Sequence, residues 1–258
     1  MLNTPESMVI VLCVVAASLV LLWLIRRLWP TEQRLRHNDI IGWQVSVIGT
    51  TYAVIIGFML YAVWTTFELA STNAEAEANN LVDVVRSARG LPAAQRQHIQ
   101  DLAREYVRVI LDEEWPAMNQ LSVSPASHRL IEQLWATVMS SEIHSALEQT
   151  SLDHTVEELA ATTEYRRMRQ LQVQASLPDI LWTVLIVGAA ATIISACLFG
   201  SENFKLHFIQ VLMLSCVLAL VLVAIADINR PFQGSVHVTP AAFEHARETL
   251  DSFRFNNH

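Results

Sequence analysis

Long uncharged runs of apolar residues occur four times along the chain. They cover residues 8–25, 41–64, 180–199 and 208–228, and the first Asp, Glu, Lys or Arg in any of them is Asp227, at the end of the fourth. A helix needs about 20 residues to cross the roughly 30 Å of hydrocarbon in a bilayer. A charge at mid-helix opposes insertion by about 2.5–3.5 kcal/mol. The pattern therefore predicts four transmembrane helices rather than buried core helices.

The second apolar run continues into a polar segment without a helix breaker. No proline occurs between Trp43 and Arg89, and Gly90-Leu91-Pro92 then supplies a stop signal. This predicts one helix of about 45 residues, or about 65–70 Å at 1.5 Å per residue. Such a helix would link the membrane mechanically to the segment that follows.

The segment between the second and third runs shows helical periodicity. We predict helices over residues 93–114, 127–149 and 155–177, the first ended by Pro116. After the fourth run, Thr239-Pro240 opens an amphipathic helix that docks on the domain or on the membrane surface. The fold class is thus an all-α integral membrane protein, divided into a transmembrane hairpin (1–64), an extramembrane domain (65–178), a second hairpin (179–229) and an amphipathic tail (230–258).

Composition narrows the function classes. Of the 258 residues 52% are hydrophobic and 16% are charged, against about 25% charged in a typical soluble domain. Residues 65–178 carry 16 acidic and 9 basic side chains, a large part of the net charge of −8, so nucleic acid is not an expected partner. All three cysteines lie inside the spans, no two histidines stand four apart, and no catalytic motif occurs. We therefore expect no enzyme, metal or cofactor.

The lysines and arginines of short loops set the orientation of a membrane protein. The basic cluster after the first span favours both termini and the acidic domain on the outside of a plasma (inner) membrane. The loops on the inner side carry five basic residues, Arg26, Arg27, Arg34, Arg36 and Lys205. Four basic residues lie near the spans on the other side, Arg166, Arg167, Arg169 and Arg230.

The second span has two different flanks. One carries small residues three or four apart, which let helices approach closely in lipid: Gly42, Ser46, Gly49, Ala53 and Gly57. The flank about 180° away offers polar groups for an ion and apolar groups for a dewetting constriction: Gln44, Thr51, Ile55, Phe58 and Thr65. This second flank either lines a pore or packs on another span, with Gln44 and Thr51 bonding across helices.

Charged residues near the membrane boundaries allow two interpretations each. Asp227 and Arg230 have the spacing of an intrahelical ion pair, and Arg166 and Arg169 share a helix face from which they could pair with Glu75 or Glu77. The alternatives are a selectivity element and a positive ring that attracts anions. The neighbouring Glu113 and Glu114 are expected to be solvated, Trp115 is expected to be a packing residue, and in the third span Gly188, Thr192 and Ser195 form a small packing face.

Several landmarks resemble the bestrophin-like family of membrane proteins found widely in bacteria. They are Asn38-Asp39, Gly49 to Phe58, Glu77-Ala78, Gly90-Leu91-Pro92, Tyr106, Glu114-Trp115-Pro116, Leu177-Pro178, Trp182, Asp227, Arg230-Pro231-Phe232 and Gly234, spread over about 200 residues. The layout is similar to that of true bestrophins, which are pentameric anion channels with a helical cytosolic domain between spans two and three. No bestrophin neck or calcium-clasp motif is recognisable here, and an outside domain departs from that layout.

Two function hypotheses follow. The resemblance implies a homo-oligomeric membrane channel, with an anion as the conducted ion and the second span along its path. The alternative is a non-conducting membrane-anchored scaffold or sensor whose helical domain binds a partner. Both have the lipid bilayer as a partner, and only the first requires a small ion.

Overall fold

The computed structural model describes residues 4–255, and every regular element in this part of the chain is helical. The outermost residues of the predicted first hairpin and tail (1–3 and 256–258) lie outside the described part. The main helices are α1 (Thr4–Leu28), α2 (Thr31–Leu35), α3 (Asn38–Ser87), α4 (Ala93–Val109), α5 (Trp115–Met118), α6 (Pro125–Met139), α7 (Ala146–Val173), α8 (Asp179–Leu198), α9 (Phe204–Ile228) and α10 (Ala241–Phe255).

Four of these helices, α1, α3, α8 and α9, are long and apolar enough to cross a membrane. The predicted four spans are therefore confirmed, and the chain is a multi-pass membrane protein. Helix α3 is also continuous for 50 residues, and a short 3₁₀ turn (Ala88–Gly90) follows it at the predicted stop.

The described residues form two compact units. The first contains the chain up to Thr65 together with Ser176–Asn229 and Gly234–Val236. The second contains Thr66–Ala175, Arg230–Gln233 and the chain from His237 onward. Helix α3 contributes Asn38–Thr65 to the first unit and Thr66–Ser87 to the second.

The first unit packs α1, α8, α9 and the start of α3 around small apolar clusters. At the end of α8, the fully buried Arg34 donates to the carbonyl oxygens of Cys197 (3.2 Å) and Phe199 (3.3 Å). The Asn38 amide donates to the Gly200 carbonyl at 2.9 Å. The last carbonyls of a helix lack partners within the helix and carry partial negative charge. Arg34 of α2 and Asn38, the first residue of α3, therefore cap α8.

The second unit departs from the predicted helix boundaries in two places. Pro116 does not end its helix, because it falls in the first turn of α5, where a missing N–H costs nothing. The helix predicted over 127–149 ends at Met139, and α7 begins at Ala146, well before the predicted residue 155. The reason is an N-cap: the Ser145 hydroxyl accepts from the Glu148 N–H at 3.2 Å.

Helix α10 lies on the second unit. Phe243 and Leu250 are almost completely buried in the core that α4 and the second half of α3 supply. The Arg104 guanidinium on α4 donates to the Leu250 carbonyl at 3.3 Å. The sequence allowed this helix to dock on the domain or on the membrane surface, and in the structure it packs on the domain.

Candidate functional site: the membrane half of α3 and a buried ion cluster

In its membrane half, α3 is fixed to α8 through the side chain of Tyr52. Tyr52 is 3% exposed, and its hydroxyl donates to the Leu185 carbonyl at 2.8 Å. The ring lies directly over Gly188, where an added Cβ would be 2.3 Å from the Tyr52 Cδ2 atom. Thr192 and Ser195 are buried on the same helix, as their predicted packing role requires. The face of α3 that its own chain covers is therefore the Tyr52 face, which lies between the two predicted flanks.

The small-residue flank is open within a single chain. A Cβ added at Gly49 or Gly57 would meet nothing within 4 Å, and one added at Gly42 would meet the Phe199 ring at 3.6 Å. Ser46 and Ala53 are exposed. The packing role of this flank stays a prediction, and within the described residues nothing covers Gly49 or Gly57.

The opposite flank is largely open as well. Gln44, Thr51 and Thr65 are exposed, Phe58 is 65% exposed, and Ile55 is half-buried. The Thr65 hydroxyl donates back to the Tyr61 carbonyl of its own helix at 2.9 Å. Beside Thr51 and Ile55, a groove of about 440 Å³ runs between α3 and α8.

In the second unit, a cluster of ionised side chains lies out of contact with solvent. Arg169 on α7 makes a two-point ion pair with Glu77 on α3, with Nε–Oε2 at 2.7 Å and Nη2–Oε1 at 3.0 Å. Its Nη2 atom also lies 2.9 Å from Glu114 Oε1. All three side chains are 0% exposed. Tyr106 on α4 completes the cluster by donating its hydroxyl to Glu77 Oε1 at 2.5 Å.

Glu114 reaches this cluster because the helix changes its winding just before it. Residues Ile110–Glu114 form a π-helical segment between α4 and α5. A π turn accommodates an extra residue, so the side chains that follow are rotated relative to a regular α-helix. The prediction that Glu114 is solvated was wrong, although its neighbour Glu113 is exposed. Trp115 packs edge-on against Phe232 and Phe243, with ring centroids 5.6 Å and 5.8 Å apart.

The cluster is closed to solvent and holds two carboxylates for one guanidinium. Burial alone would lower the pKa of Arg169, but the carboxylates of Glu77 and Glu114 outweigh burial and raise it. Burial and the Glu77 charge raise the pKa of Tyr106 well above its ordinary value. Arg169 therefore remains charged and Tyr106 remains a neutral donor.

Of the other predicted boundary charges, none makes the ion pair expected of it. Arg166 is buried and donates to the Ser127 hydroxyl at 3.0 Å instead of to a carboxylate. Because Arg166 and Arg169 are both buried, they do not form an exposed positive ring. Helix α9 ends at Ile228, so Arg230 lies beyond it and the predicted intrahelical pair is absent.

Each member of that expected pair has another partner. The Asp227 carboxylate accepts from the backbone N–H groups of Ser235 (3.0 Å) and Val236 (3.2 Å). The Arg230 guanidinium donates to Gln233 Oε1 at 3.2 Å. The Asp227 contacts hold residues 235–236 against the last turn of α9. The Arg230 contact lies within the loop that follows the helix.

Sequence reasoning allowed Arg166 and Arg169 to pair with Glu75 or Glu77, and the structure shows one of these pairings, Arg169 with Glu77. It missed two other members of the cluster. Tyr106 lies on the apolar face of its predicted helix, and a buried hydroxyl needs a partner, so it could have been included. Glu114 carried no comparable signal, because π winding has no simple sequence signature. In the described part of the chain, no group of three or more His, Cys, Asp or Glu side chains is arranged to hold a metal ion.

Comparison with known proteins gives the family. The model of the bestrophin-like domain matches residues 12–243. The chain belongs to the bestrophin-like family. No curated protein matches the sequence.

The fold of this bestrophin-like chain is similar to that of solved structures. Two of them are mutant forms of a bacterial bestrophin homologue from Klebsiella pneumoniae. One superposes with a TM-score of 0.70 at 13% identity, covering 96% of this chain and 99% of the other. The second has a TM-score of 0.69 at 16% identity, covering 96% and 98%. At such identities the likeness establishes the shared fold.

Proposed function

We propose that the chain is one subunit of a homo-oligomeric bestrophin-like channel in the plasma membrane, with α3 along the path and an anion as the conducted ion. The observation that supports this most is the exposure of α3. Its membrane half buries only the Tyr52 face in its own chain and leaves both flanks open. Family membership and the shared bestrophin fold agree with the proposal.

The two open flanks suit two different neighbours. In lipid, helices associate through close packing rather than through the hydrophobic effect, and small residues permit that packing. The flank of Gly49 and Gly57 is therefore suited to a helix of a second subunit. Gln44 and Thr51 on the other flank are polar, and polar groups in hydrocarbon need partners. A water-filled path or a neighbouring helix supplies them.

Along the path, the proposed roles follow from side-chain chemistry. Gln44 and Thr51 offer polar groups to the ion, and Thr65 lies near the membrane edge. Ile55 and Phe58 form an apolar constriction that gates by excluding water. Since Phe58 is 65% exposed in the single chain, the assembled oligomer determines how narrow this constriction is.

The second half of α3 provides a route for gating. Glu77 lies on the same unbroken helix as Phe58, and its pair with Arg169 ties that helix to α7. A displacement of α7 or of the π segment would be transmitted to α3 through this cluster. We place both termini and the domain outside the cell, following the basic cluster after the first span.

Reconstitution of the purified chain in planar bilayers tests the proposal. We expect an anion-selective current that increases for Phe58→Ala, because removing the ring widens the constriction, and that changes for Thr51→Val. Val217→Ala is the control, because Val217 is 57% exposed on α9 and belongs to neither flank of α3. A monomer in detergent, or a sealed bilayer with a folded oligomer, would contradict the proposal and favour the scaffold or sensor.

A further inference from the structure

An apolar cavity of the first unit lies among α1, α8 and α9, and no residue of α3 lines it. It has a volume of about 500 Å³. Its wall runs along α1 from Ile10 to Leu21 and along α8 from Trp182 to Ile194, with Ala219 and Ala226 on α9. We call this cavity the α1–α8–α9 slot.

The lining of the slot offers almost nothing to a polar ligand. Ser18 carries the one hydroxyl in the wall, and it already donates to the Val14 carbonyl at 2.7 Å. The indole of Trp182 is the other polar group, and it lies at one end of the slot. Alanines from all three helices form much of the wall, and their small size creates the space. The occupant that this chemistry accepts is therefore a hydrocarbon chain.

The shape of the slot matches one leaflet of a bilayer. Eleven residue steps from Ile10 to Leu21 correspond to about 17 Å of helix. The hydrocarbon core of a membrane is about 30 Å thick, so a single leaflet accounts for about half of it. A groove of this length along three membrane helices fits one extended acyl chain.

The charges at the end of the slot where α1 and α8 begin indicate the head group. Asp179 is exposed one turn before Trp182, and Glu6 is exposed one turn before Ile10. All lysines and arginines of the first unit lie elsewhere, between Arg26 and Arg36 and at Lys205. Among the residues of the first unit, this end of the slot is thus acidic, which favours a head group with an ammonium ion over an anionic one.

We propose that the α1–α8–α9 slot binds one acyl chain of a phospholipid whose head group carries an ammonium ion, with Asp179 near that ion. A phosphatidylethanolamine has this chemistry. This site is separate from the α3 path, and its occupancy does not depend on whether the protein conducts.

Photolabelling in nanodiscs tests the proposal. The probes are a phosphatidylethanolamine and a phosphatidylglycerol, each with a diazirine at the middle of one acyl chain, and adducts are mapped by mass spectrometry. We expect the ethanolamine lipid to label residues of the slot several-fold more than Val217, which is exposed to lipid outside it. The phosphatidylglycerol should label the slot less.

Two substitutions fill the slot from its accessible side, and two neighbouring ones do not. Ala17→Leu and Ala190→Leu place methyl groups in the slot, and we expect each to reduce slot labelling about tenfold. Ala16→Leu and Ala224→Leu, at exposed positions outside the wall, should leave it unchanged. All four positions are alanines of α1, α8 or α9, and circular dichroism verifies that each variant is folded.

The head group is tested separately by Asp179→Asn, which should abolish the preference for the ethanolamine lipid. Labelling of the slot no stronger than at Val217 would show an annular lipid only and would overturn the proposal. Equal labelling by the two lipids in the unmodified protein would overturn it too, as would full labelling in both filled variants.

Discussion

The guanidinium of Arg169 makes two hydrogen bonds to the carboxylate of Glu77, with Nε–Oε2 at 2.7 Å and Nη2–Oε1 at 3.0 Å. Both side chains are fully buried. The two residues are 92 positions apart in the chain, and the pair joins α3 to α7. A buried pair of this kind contributes less than its Coulomb energy suggests, because both ions lose their hydration. Removing Glu77 is nevertheless costly, since Arg169 stays buried with Glu114 as its one remaining carboxylate in the cluster.

Glu77→Gln is therefore expected to destabilise the protein by about 1–3 kcal/mol, because Arg169 loses the two-point pair but keeps its contact with Glu114. Thermal unfolding in detergent, followed by circular dichroism, measures the effect. Glu75→Gln is the matched control, because Glu75 is exposed two residues earlier on the same helix and should change stability by no more than about 0.5 kcal/mol. Equal midpoints for the two variants would show that the pair does not hold α3 to α7.

The raised pKa of Tyr106 predicts that the folded protein loses stability at alkaline pH. Burial and the Glu77 charge raise its pKa well above that of an unfolded tyrosine, about 10. A raised pKa means that the folded state retains the proton, so this contribution is complete below about pH 10 and is lost as pH rises further. We expect the free energy of unfolding, measured from pH 8 to 11, to decline less in Tyr106→Phe than in the unmodified protein.

The same variant has a spectroscopic control. If Tyr106 stays protonated in the folded protein, the tyrosinate absorbance of the folded state below about pH 11 should be the same with and without it. A missing tyrosinate signal in Tyr106→Phe at these pH values would contradict the raised pKa. The variant also loses the hydrogen bond to Glu77, which should lower stability at neutral pH by about 1–3 kcal/mol.

How far the sequence determines these features depends on the kind of signal. The four spans could be predicted because uncharged runs of about 20 residues have few alternatives to lipid. The length of α3 followed from the lack of a breaker before Gly90. Because the two segments lie on the same side of the membrane, Arg166 or Arg169 was expected to pair with Glu75 or Glu77, and the structure shows Arg169 with Glu77.

Other features needed the structure. The π segment that buries Glu114 depends on how α4 packs, and a local pattern does not encode it. The break between α6 and α7 was predicted about ten residues too late, although Ser145 and Glu148 have the spacing of a capping box, in which an N-cap serine precedes a glutamate by three residues. The expected intrahelical pair of Asp227 and Arg230 is absent because the helix ends two residues before Arg230.

Gly188 should not tolerate even a methyl group. An alanine Cβ there would lie 2.3 Å from Tyr52, whose ring is buried and whose hydroxyl is held by Leu185. We expect Gly188→Ala to destabilise the protein by about 1–3 kcal/mol through overpacking. Gly57→Ala is the comparison: nothing lies within 4 Å of its added Cβ, and alanine favours a helix by up to about 1 kcal/mol. Destabilisation by Gly57→Ala equal to that by Gly188→Ala would contradict the assigned packing of α3.

Gly57→Leu tests how the subunits assemble without disturbing the fold of a single chain. The added side chain meets open space within the chain, so thermal unfolding of the monomeric fold should be unaffected. On a helix flank that packs against a second subunit, the same side chain would force the helices apart. Size-exclusion chromatography with light scattering in detergent should then show a smaller assembly than for the unmodified protein. Ala16→Leu, at an exposed position of α1, should retain the full mass. An unchanged mass for Gly57→Leu would mean that this flank faces lipid, and the subunit contact would have to lie elsewhere.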